Sequence, residues 1–241
     1  MLFYSSNIEH LLRFSEETMT HRSYFVEMEI SGDTAMWTRP DTGDTPVSEI
    51  VPSYSAIKAI FESVHFGFNS VVKPVKVEIC TPIQYHSYYT NYGGPLRQSK
   101  AVKAGNSFQL LATVLINVTY RIYAEVIQNN QKMGLSEKSL HWDKKTTSPA
   151  HAYVDIFNRR LKLGQCYSIP FLGWKEFTAS YFGPFRNDTK VYSAISTTIP
   201  AALRQVFSKG YNSPVSITYD QNLEVINGVL LFDIGEPKND K

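Results

Sequence analysis

Three side chains of this sequence are of types that can take part in acid–base chemistry. His65 ends one apolar-patterned segment, while His151 and Tyr153 stand in the first turn of another. Imidazole can take up or release a proton near neutral pH, whereas a tyrosine hydroxyl, whose ordinary pKa is about 10, is a poor base unless its surroundings perturb it. Plainer interpretations also exist, with His65 as a partner of a helix C-terminal dipole and Tyr153 as a packing residue.

No common catalytic signature assigns a reaction. The sequence contains no P-loop, GxGxxG, HExxH, GxSxG or CxxC pattern, and we expect neither a cofactor nor a metal. The two cysteines, Cys80 and Cys166, are far apart in the sequence. Without a signal peptide, we interpret both as reduced core thiols of a cytoplasmic protein.

The amino-acid composition indicates a folded protein but does not identify what it binds. The 241 residues are 43% hydrophobic and 19% charged, which argues against a disordered chain, and no apolar run approaches the length of a bilayer span. A net charge of +2 is too small to indicate nucleic-acid binding by itself. The 15 tyrosines and 14 phenylalanines fit a β-rich core and base stacking equally well.

A basic and aromatic stretch over residues 84–106 is predicted to be a functional loop or a disordered segment, because it is long and lacks periodicity. Basic and stacking side chains interleaved in a loop suit single-stranded RNA, although a solvated loop has the same composition. Its two adjacent glycines permit a tight backbone path or close approach to a phosphate. The RNA-binding candidates are Tyr92, Gly93, Gly94, Arg97, Lys100 and Lys103, with Tyr88 and Tyr89 beside them.

Hydrophobic periodicity predicts the elements that position these groups. Helices are expected from an N-cap at Ser53 and over residues 150–163, the second one closed by Gly164. A turn is expected at residues 31–33. The resulting order β-α-β-β-α-β is the ferredoxin-like, RNA-recognition topology, an α+β fold with an antiparallel sheet. The strands are predicted at residues 24–30, 75–82, 116–126 and 174–182.

The chain is expected to divide into three parts. Residues 1–21 are interpreted as a helical extension or as the result of a wrongly assigned start codon, with Met19 as the alternative start. Residues 22–183 would form the ferredoxin-like RNA-binding domain and residues 184–241 a small β-rich C-terminal domain. The elements predicted for this last part are a short helix at residues 201–208 and a hairpin at residues 215–232.

Five collinear segments carry a family resemblance from about Tyr24 to Phe182. They are GDTAMWTRP (32–40), VPSYSAIKAIFESVHF (51–66), YGG (92–94), INVTYRIYAEV (116–126) and FNRRLKLGQCYSIPFLGWKEF (157–177). In order and spacing they resemble the first motif, first helix, glycine-bearing loop, central strand and second helix of the type I-C members of CRISPR-associated protein family five. That family belongs to the RAMP superfamily and supplies a subunit of the Cascade surveillance complex.

The resemblance implies binding of the repeat-derived 5′ handle of CRISPR RNA, next to backbone and large subunits, with target DNA as an indirect partner. It also implies metal-independent cleavage of precursor CRISPR RNA in the repeat, in which a deprotonated 2′-hydroxyl attacks the adjacent phosphate. The family carries this chemistry on a Tyr or His ending the first helix, matched here by His65, and on a Lys-His pair. That pair falls on Ala152 and Tyr153, so His151 or Tyr153 would have to assist.

Four further basic residues complete the set of RNA-binding candidates: Arg39, Lys58, Arg159 and Arg160. Arg39 either contacts RNA or pairs with Asp33 or Asp41. The two arginines of the second helix form either a solvated face or, as the family's basic surface implies, a phosphate contact.

Two alternatives to a processing nuclease stay open. The departure from the Lys-His pair is compatible with a non-catalytic scaffold that holds the handle while another enzyme processes the RNA. The nearly neutral charge is compatible with a ferredoxin-like RNA-binding module, or an unrelated α+β enzyme, outside CRISPR systems.

Overall fold

One antiparallel sheet organises this chain, whose computed structural model describes residues 23–91, 109–129, 136–138, 140–141, 148–207 and 215–233. Seven of its eight strands follow the order β5-β1-β4-β2-β8-β7-β6, and β3 pairs with β4 outside that path. The helices α1 (Tyr54–Val64) and α2 (Pro149–Lys162) pack on one face and share its hydrophobic core. The strands are β1 (Tyr24–Ala35), β2 (Ser70–Ile79), β3 (Tyr85–Asn91), β4 (Gln109–Gln128), β5 (Tyr181–Gly183), β6 (Thr197–Phe207), β7 (Val215–Ile226) and β8 (Val229–Leu231).

Both helices form where local signals predict them. The Ser53 hydroxyl accepts a hydrogen bond from the Ala56 N–H, which confirms this residue as the N-cap of α1. Gly164 follows the end of α2 with φ of +63°, the left-handed conformation expected of a C′ glycine. The apolar face of α1 is buried as its periodicity predicts, at Tyr54, Ile57, Ile60, Phe61 and Val64. Among the described residues, no helix is both long and apolar enough to span a membrane.

The central strands confirm the predicted alternation but run further than predicted. β1 continues through residues 31–33, where a turn was expected, because it stays paired with β4 as far as Ala35. Gly32 allows this by lying against Leu172, whose Cδ1 would be 2.4 Å from a Cβ atom at position 32. β4 reaches 20 residues, and its even-numbered side chains from Val118 to Val126 are buried beneath the helices.

Three other predictions about elements are wrong. Residues 85–91 were expected in a loop but form β3, whose two largely exposed faces give no apolar alternation to detect. Of residues 174–182, only the last two lie in a strand, since the chain turns at Gly173 before it reaches β5. Residues 201–207, expected in a helix because they are rich in helix formers, belong to β6, where pairing with β7 overrides propensity.

The predicted C-terminal hairpin is confirmed, and it continues the same sheet. β7 and β8 are joined by Asn227 and Gly228, which both have positive φ. Two-residue hairpin turns favour an Asn-Gly sequence in this conformation. β8 then pairs with β2, with Val77 opposite Leu230. The strands β6, β7 and β8 therefore extend the sheet that β1, β2 and β4 form. A domain boundary after residue 183 stays a prediction.

The sheet face opposite the helices is covered by residues 184–192. Glu29, fully buried on this face, accepts hydrogen bonds from the Arg186 backbone N–H (3.0 Å) and from the Thr189 hydroxyl (2.9 Å). Arg121 of β4 donates to the Arg186 and Thr189 carbonyl oxygens, at 3.0 and 2.6 Å. Residues 184–192 thus cover the central part of this face. The helix side of the sheet is therefore more accessible to a ligand.

We expect Gly173→Ala to lower the free energy of unfolding by about 3 kcal/mol or more. Gly173 has φ of +93°, and an added Cβ would stand 1.8 Å from the Met36 backbone oxygen, which cannot move away without disturbing β1. Gly164→Ala is the matched control, because φ there is +63° with nothing within 4 Å of an added Cβ, so only about 1 kcal/mol should be lost. Chemical denaturation measures both, and equal losses would contradict the packing argument.

Candidate active site

His65 and Tyr153 meet where α1 ends and α2 begins. The backbone becomes extended at His65, whose N–H still bonds to the Phe61 carbonyl at 3.1 Å. The imidazole packs against the Tyr153 ring with centroids 4.7 Å apart and planes at 37°. The structure therefore brings together two of the three predicted catalytic side chains, from helices that are far apart in the sequence.

A cavity of about 320 Å³ opens beside this pair. Gly67 lies at its wall, where an added Cβ would be 3.1 Å from Tyr153 Cδ2 and 4.0 Å from His65 Nε2. The lining combines one imidazole with small or apolar groups and with the polar side chains of Asn69, Ser70 and Lys138. Its lining residues are His65, Gly67, Phe68, Asn69, Ser70, Lys138, Pro149, Tyr153 and Ile156.

The His65 imidazole is uncharged at neutral pH. Burial lowers its pKa from 6.5 to about 4, and the nearby positive charge of Arg160 lowers the pKa further in the same direction. Its Nδ1 atom is buried and has no hydrogen-bond partner among the described residues, so protonation would place a second N–H donor where nothing accepts it. In this uncharged form one ring nitrogen keeps a lone pair, which can accept a hydrogen bond from a hydroxyl group in the cavity.

We expect the His65 imidazole to titrate near pH 4 in an NMR titration of the folded protein. The unfolded chain takes up this proton near pH 6.5 and the folded chain does not, so the free energy of unfolding should fall as the pH drops from 6.5 to 4. Because the side chain is only half-buried and solvent screens part of the effect, the loss should be about 1–2 kcal/mol, and His65→Gln should remove that part of the pH dependence. A midpoint near 6.5 would contradict the burial argument.

Tyr153 has the contacts of a packing residue. Its side chain is 3% exposed, and its hydroxyl donates to the His65 carbonyl oxygen at 2.6 Å. Burial raises the pKa of this hydroxyl far above its ordinary range, which removes it as a base at neutral pH. The neighbouring Ala152 supplies neither charge nor proton, so the positions that match the family's Lys-His pair provide no second proton carrier.

His151 is on a different side of α2 from the cavity lining. Its side chain is exposed, its Nδ1 is 3.4 Å from Asp155 Oδ2, and its ring meets the Tyr24 ring edge-on at 5.7 Å. It is not among the residues that line the cavity. An assisting role for His151 therefore stays a prediction that would need the side chain to approach bound RNA from outside.

The basic candidates of the described region mostly have protein partners. Arg39 pairs with Asp41 at 2.7 Å, one of the two alternatives open to it, and its Nε is 3.4 Å from Glu49. Lys58 is 3.9 Å from Glu62 one turn along α1. Arg160 donates to the Val64 carbonyl oxygen at 2.9 Å and so caps α1 from the neighbouring helix. Arg159 is exposed near the end of α2.

The glycine-bearing loop and residues 1–21 lie outside the described residues. This concerns Tyr92, Gly93, Gly94, Arg97, Lys100 and Lys103. The aromatic residues just before them are on β3, where Tyr89 is 69% exposed and the His86 and Tyr88 rings are stacked at 6.3 Å. The strand that leads toward the predicted RNA-binding loop therefore presents open aromatic surface.

Sequence reasoning missed Lys138, which lines the cavity that His65 also lines. It lies in a stretch that the sequence identifies only as a polar connection between residues 129 and 149. Its charge was the one signal available, and a lysine in a polar connection is ordinarily solvated. Its position beside the cavity becomes visible only in the structure, where the end of α1 meets the start of α2.

Comparison with known proteins places the chain among CRISPR-associated proteins. Residues 25–227 match the family model described as CRISPR-associated protein (Cas_Cas5). A protein of Mannheimia succiniciproducens named CRISPR pre-crRNA endoribonuclease Cas5d is 29% identical over 188 residues, which cover 71% of this chain and 77% of that protein. A Thermus thermophilus protein of the same name is 26% identical over 162 residues, or 66% of this chain and 63% of the relative.

The fold has solved counterparts as well. A crystal structure described as a CRISPR-associated protein superposes with a TM-score of 0.62 at 16% sequence identity, covering 88% of this chain and 92% of the other. At that identity the likeness concerns the fold alone, and it supports an α+β architecture with an antiparallel sheet and few helices.

Proposed function

This chain belongs to the Cas5 family of CRISPR-associated proteins, and from that premise we propose that it binds the 5′ handle of CRISPR RNA and cleaves the precursor RNA within the repeat. Two relatives named as pre-crRNA endoribonucleases support the activity. The observation that carries the proposal is His65, an uncharged imidazole that lines a cavity at the position where the resemblance expects the catalytic group.

The chemistry is an in-line transfer that needs no metal. His65 accepts the proton of a ribose 2′-hydroxyl, and the resulting oxygen attacks the adjacent phosphorus atom. The bond from phosphorus to the 5′-oxygen breaks, this leaving oxygen takes up a proton from water, and His65 later releases the proton that it accepted to water. One product ends in a 2′,3′-cyclic phosphate and the other begins with a 5′-hydroxyl. A positive charge near the phosphate would stabilise the charge that accumulates in the transition state.

The proposed partners are CRISPR RNA, the backbone and large subunits of a type I surveillance complex, and target DNA through that complex. Arg159, exposed near the end of α2, is the basic candidate of the described region most available to an RNA phosphate. Arg39, Lys58 and Arg160 hold protein partners and would contribute through the electrostatic potential of the surface.

We also propose the finer fold description, a ferredoxin-like domain followed by a small β-rich domain after residue 183. The strand order β5-β1-β4-β2, with α1 between β1 and β2 and α2 between β4 and β5, supports the first part. The change from helix-bearing to strand-only sequence supports the second.

A handle-binding scaffold without catalysis is the second candidate function. Ala152 at the position of the family's lysine, together with the buried and hydrogen-bonded hydroxyl of Tyr153, favours it. In that case another enzyme would process the RNA, and this protein would hold the product.

The deciding experiment incubates the purified full chain with its own end-labelled repeat RNA in EDTA. We expect a single cut that leaves a 2′,3′-cyclic phosphate and is blocked by a 2′-deoxy substitution at the cleaved nucleotide. Tight, salt-sensitive binding without a cut would favour the scaffold. Absence of binding to repeat RNA would contradict both candidates, and a product without the cyclic phosphate would contradict the mechanism.

A further inference from the structure

We propose that Lys138 is a catalytic residue of this site, supplying the positive charge beside the scissile phosphate that Ala152 does not supply. The inference deepens the proposed function and rests on it. It assigns one named side chain to the charge-stabilising role for which the resemblance predicted a residue of α2.

The face of α2 that lines the cavity carries no charge. Pro149, Tyr153 and Ile156 are its contributions, all apolar apart from a tyrosine hydroxyl that already donates to a carbonyl. Phosphoryl transfer by a 2′-hydroxyl adds negative charge to the phosphate oxygens, and a site without a cation would leave this charge to water. The cation must therefore come from another element.

Lys138 is the charged side chain of this cavity. The other described residues of the lining are glycine, proline, apolar, amide or hydroxyl side chains, together with His65, which burial keeps uncharged. Lys138 is exposed and forms no ion pair with another residue in the described part of the chain. A lysine ammonium is a compact point charge on a flexible stem, suited to follow a phosphate into a cavity.

The described residues at both ends of the connection that contains Lys138 also border the cavity. At the end of β4, the Asn129 backbone N–H bonds to the Asn69 carbonyl at 2.9 Å, and its side-chain amide bonds to the Phe68 carbonyl at 2.9 Å. Asn69 and Phe68 both line the cavity, so the chain leaves β4 at the cavity margin. It returns at Pro149, which is also a lining residue. Between these points, a helical turn with a 3.0 Å bond from the Leu140 N–H to the Ser136 carbonyl contains Lys138.

The other basic residues of the helix junction do not line the cavity. Arg160, whose charge reaches His65, uses its guanidinium to cap α1 through the Val64 carbonyl. Arg160 is not among the lining residues, and neither is the exposed Arg159. Lys138 is thus the cation of the described region that shares a cavity with the candidate base.

The test compares the wild-type full chain with Lys138→Ala, Lys138→Arg and the control Lys190→Ala. Lys190 is an exposed lysine in the segment that covers the opposite face of the sheet. Single-turnover cleavage of the cognate repeat RNA in EDTA should fall about 10²–10³-fold in Lys138→Ala. Lys138→Arg should restore most of the rate because it keeps the charge, and Lys190→Ala should cut like the wild type. Melting temperatures should be unchanged throughout.

A second measurement separates this inference from the proposed cleavage. Binding of a repeat RNA with a 2′-deoxy cleavage nucleotide is followed over a range of salt concentrations, and Lys138→Ala should lower the salt slope by about one. Cleavage by Lys138→Ala within threefold of the wild-type rate would overturn the inference and leave the proposed function intact. If the wild type binds but does not cut, the cleavage proposal fails, and an unchanged salt slope would then overturn the assignment of Lys138 as well.

Discussion

Glu29→Gln is expected to lower the free energy of unfolding by about 3 kcal/mol, although it changes a single atom of a side chain far from the cavity. Glu29 is fully buried. Its two carboxylate oxygens accept the Arg186 backbone N–H, the Arg186 Nε–H and the Thr189 hydroxyl. Arg121 lies across the strand with its Nε 3.7 Å away.

Glutamine would fail at this position for two separate reasons. It removes the negative charge and leaves two guanidinium groups facing a neutral side chain. It also replaces an acceptor by an NH₂ donor, which then faces the donors of Arg186 or the hydroxyl of Thr189. The Arg186 side chain is 41% exposed and partly recovers its hydration, which places the expected cost at the lower end of the range for broken buried pairs.

Glu27→Gln is the matched control for this prediction. Glu27 lies two residues earlier on the same face of β1 but is exposed, so its replacement should change stability by less than about 0.5 kcal/mol. Urea denaturation measures both variants, and limited proteolysis tests whether residues 184–192 become accessible in Glu29→Gln. Equal stabilities of the two variants would contradict the account of Glu29 as the anchor of this segment.

The sequence predicts elements that depend on local signals and misses those that depend on pairing. The N-cap at Ser53, the buried face of α1 and the C′ glycine at position 164 are all encoded within a few residues of where they act. β6 is different, because its alanines, leucine and glutamine favour a helix, and only the register with β7 makes a strand of them. β3 has no buried face, so hydrophobic periodicity has nothing to detect.

The candidate site shows the same division between local and long-range information. The end of α1 and the start of α2 are predictable, which is why His65, His151 and Tyr153 could be named. Which of them face a common cavity depends on how the helices pack, and this selects His65, buries Tyr153 and leaves His151 outside the lining. Lys138 enters from a connection whose sequence carries no periodic signal at all.

The two faces of the sheet have different consequences for RNA binding. In the RNA-recognition topology, the exposed sheet face commonly stacks bases on aromatic side chains. Here residues 184–192 cover the central part of that face, with Phe185 packed edge-on against Tyr123 at 5.3 Å and the Arg121 guanidinium over Phe185 at 4.7 Å. We therefore propose that RNA binds at the helix junction, where the cavity lies, and at the β3–β4 edge, where aromatic side chains are exposed.

His65→Ala is expected to slow cleavage of the repeat RNA by about 10²–10⁴-fold while leaving the affinity for that RNA within about threefold. The imidazole is uncharged at neutral pH and contributes little to phosphate attraction, so its loss should act on the reaction step and not on binding. Single-turnover rates and binding of a 2′-deoxy substrate, measured side by side, separate these two effects.

Two companion variants make the His65 result specific. His65→Phe keeps an aromatic ring against Tyr153, so a loss of activity in this variant cannot come from disturbed packing at the junction of α1 and α2. His151→Ala tests the competing assignment, in which the exposed histidine of α2 carries the proton. Recovery of activity in His65→Ala on adding free imidazole would identify proton transfer as the missing function. If His65→Phe cleaved at the wild-type rate while His151→Ala did not, the base would be His151, and the cavity beside His65 would be a structural feature of the helix junction.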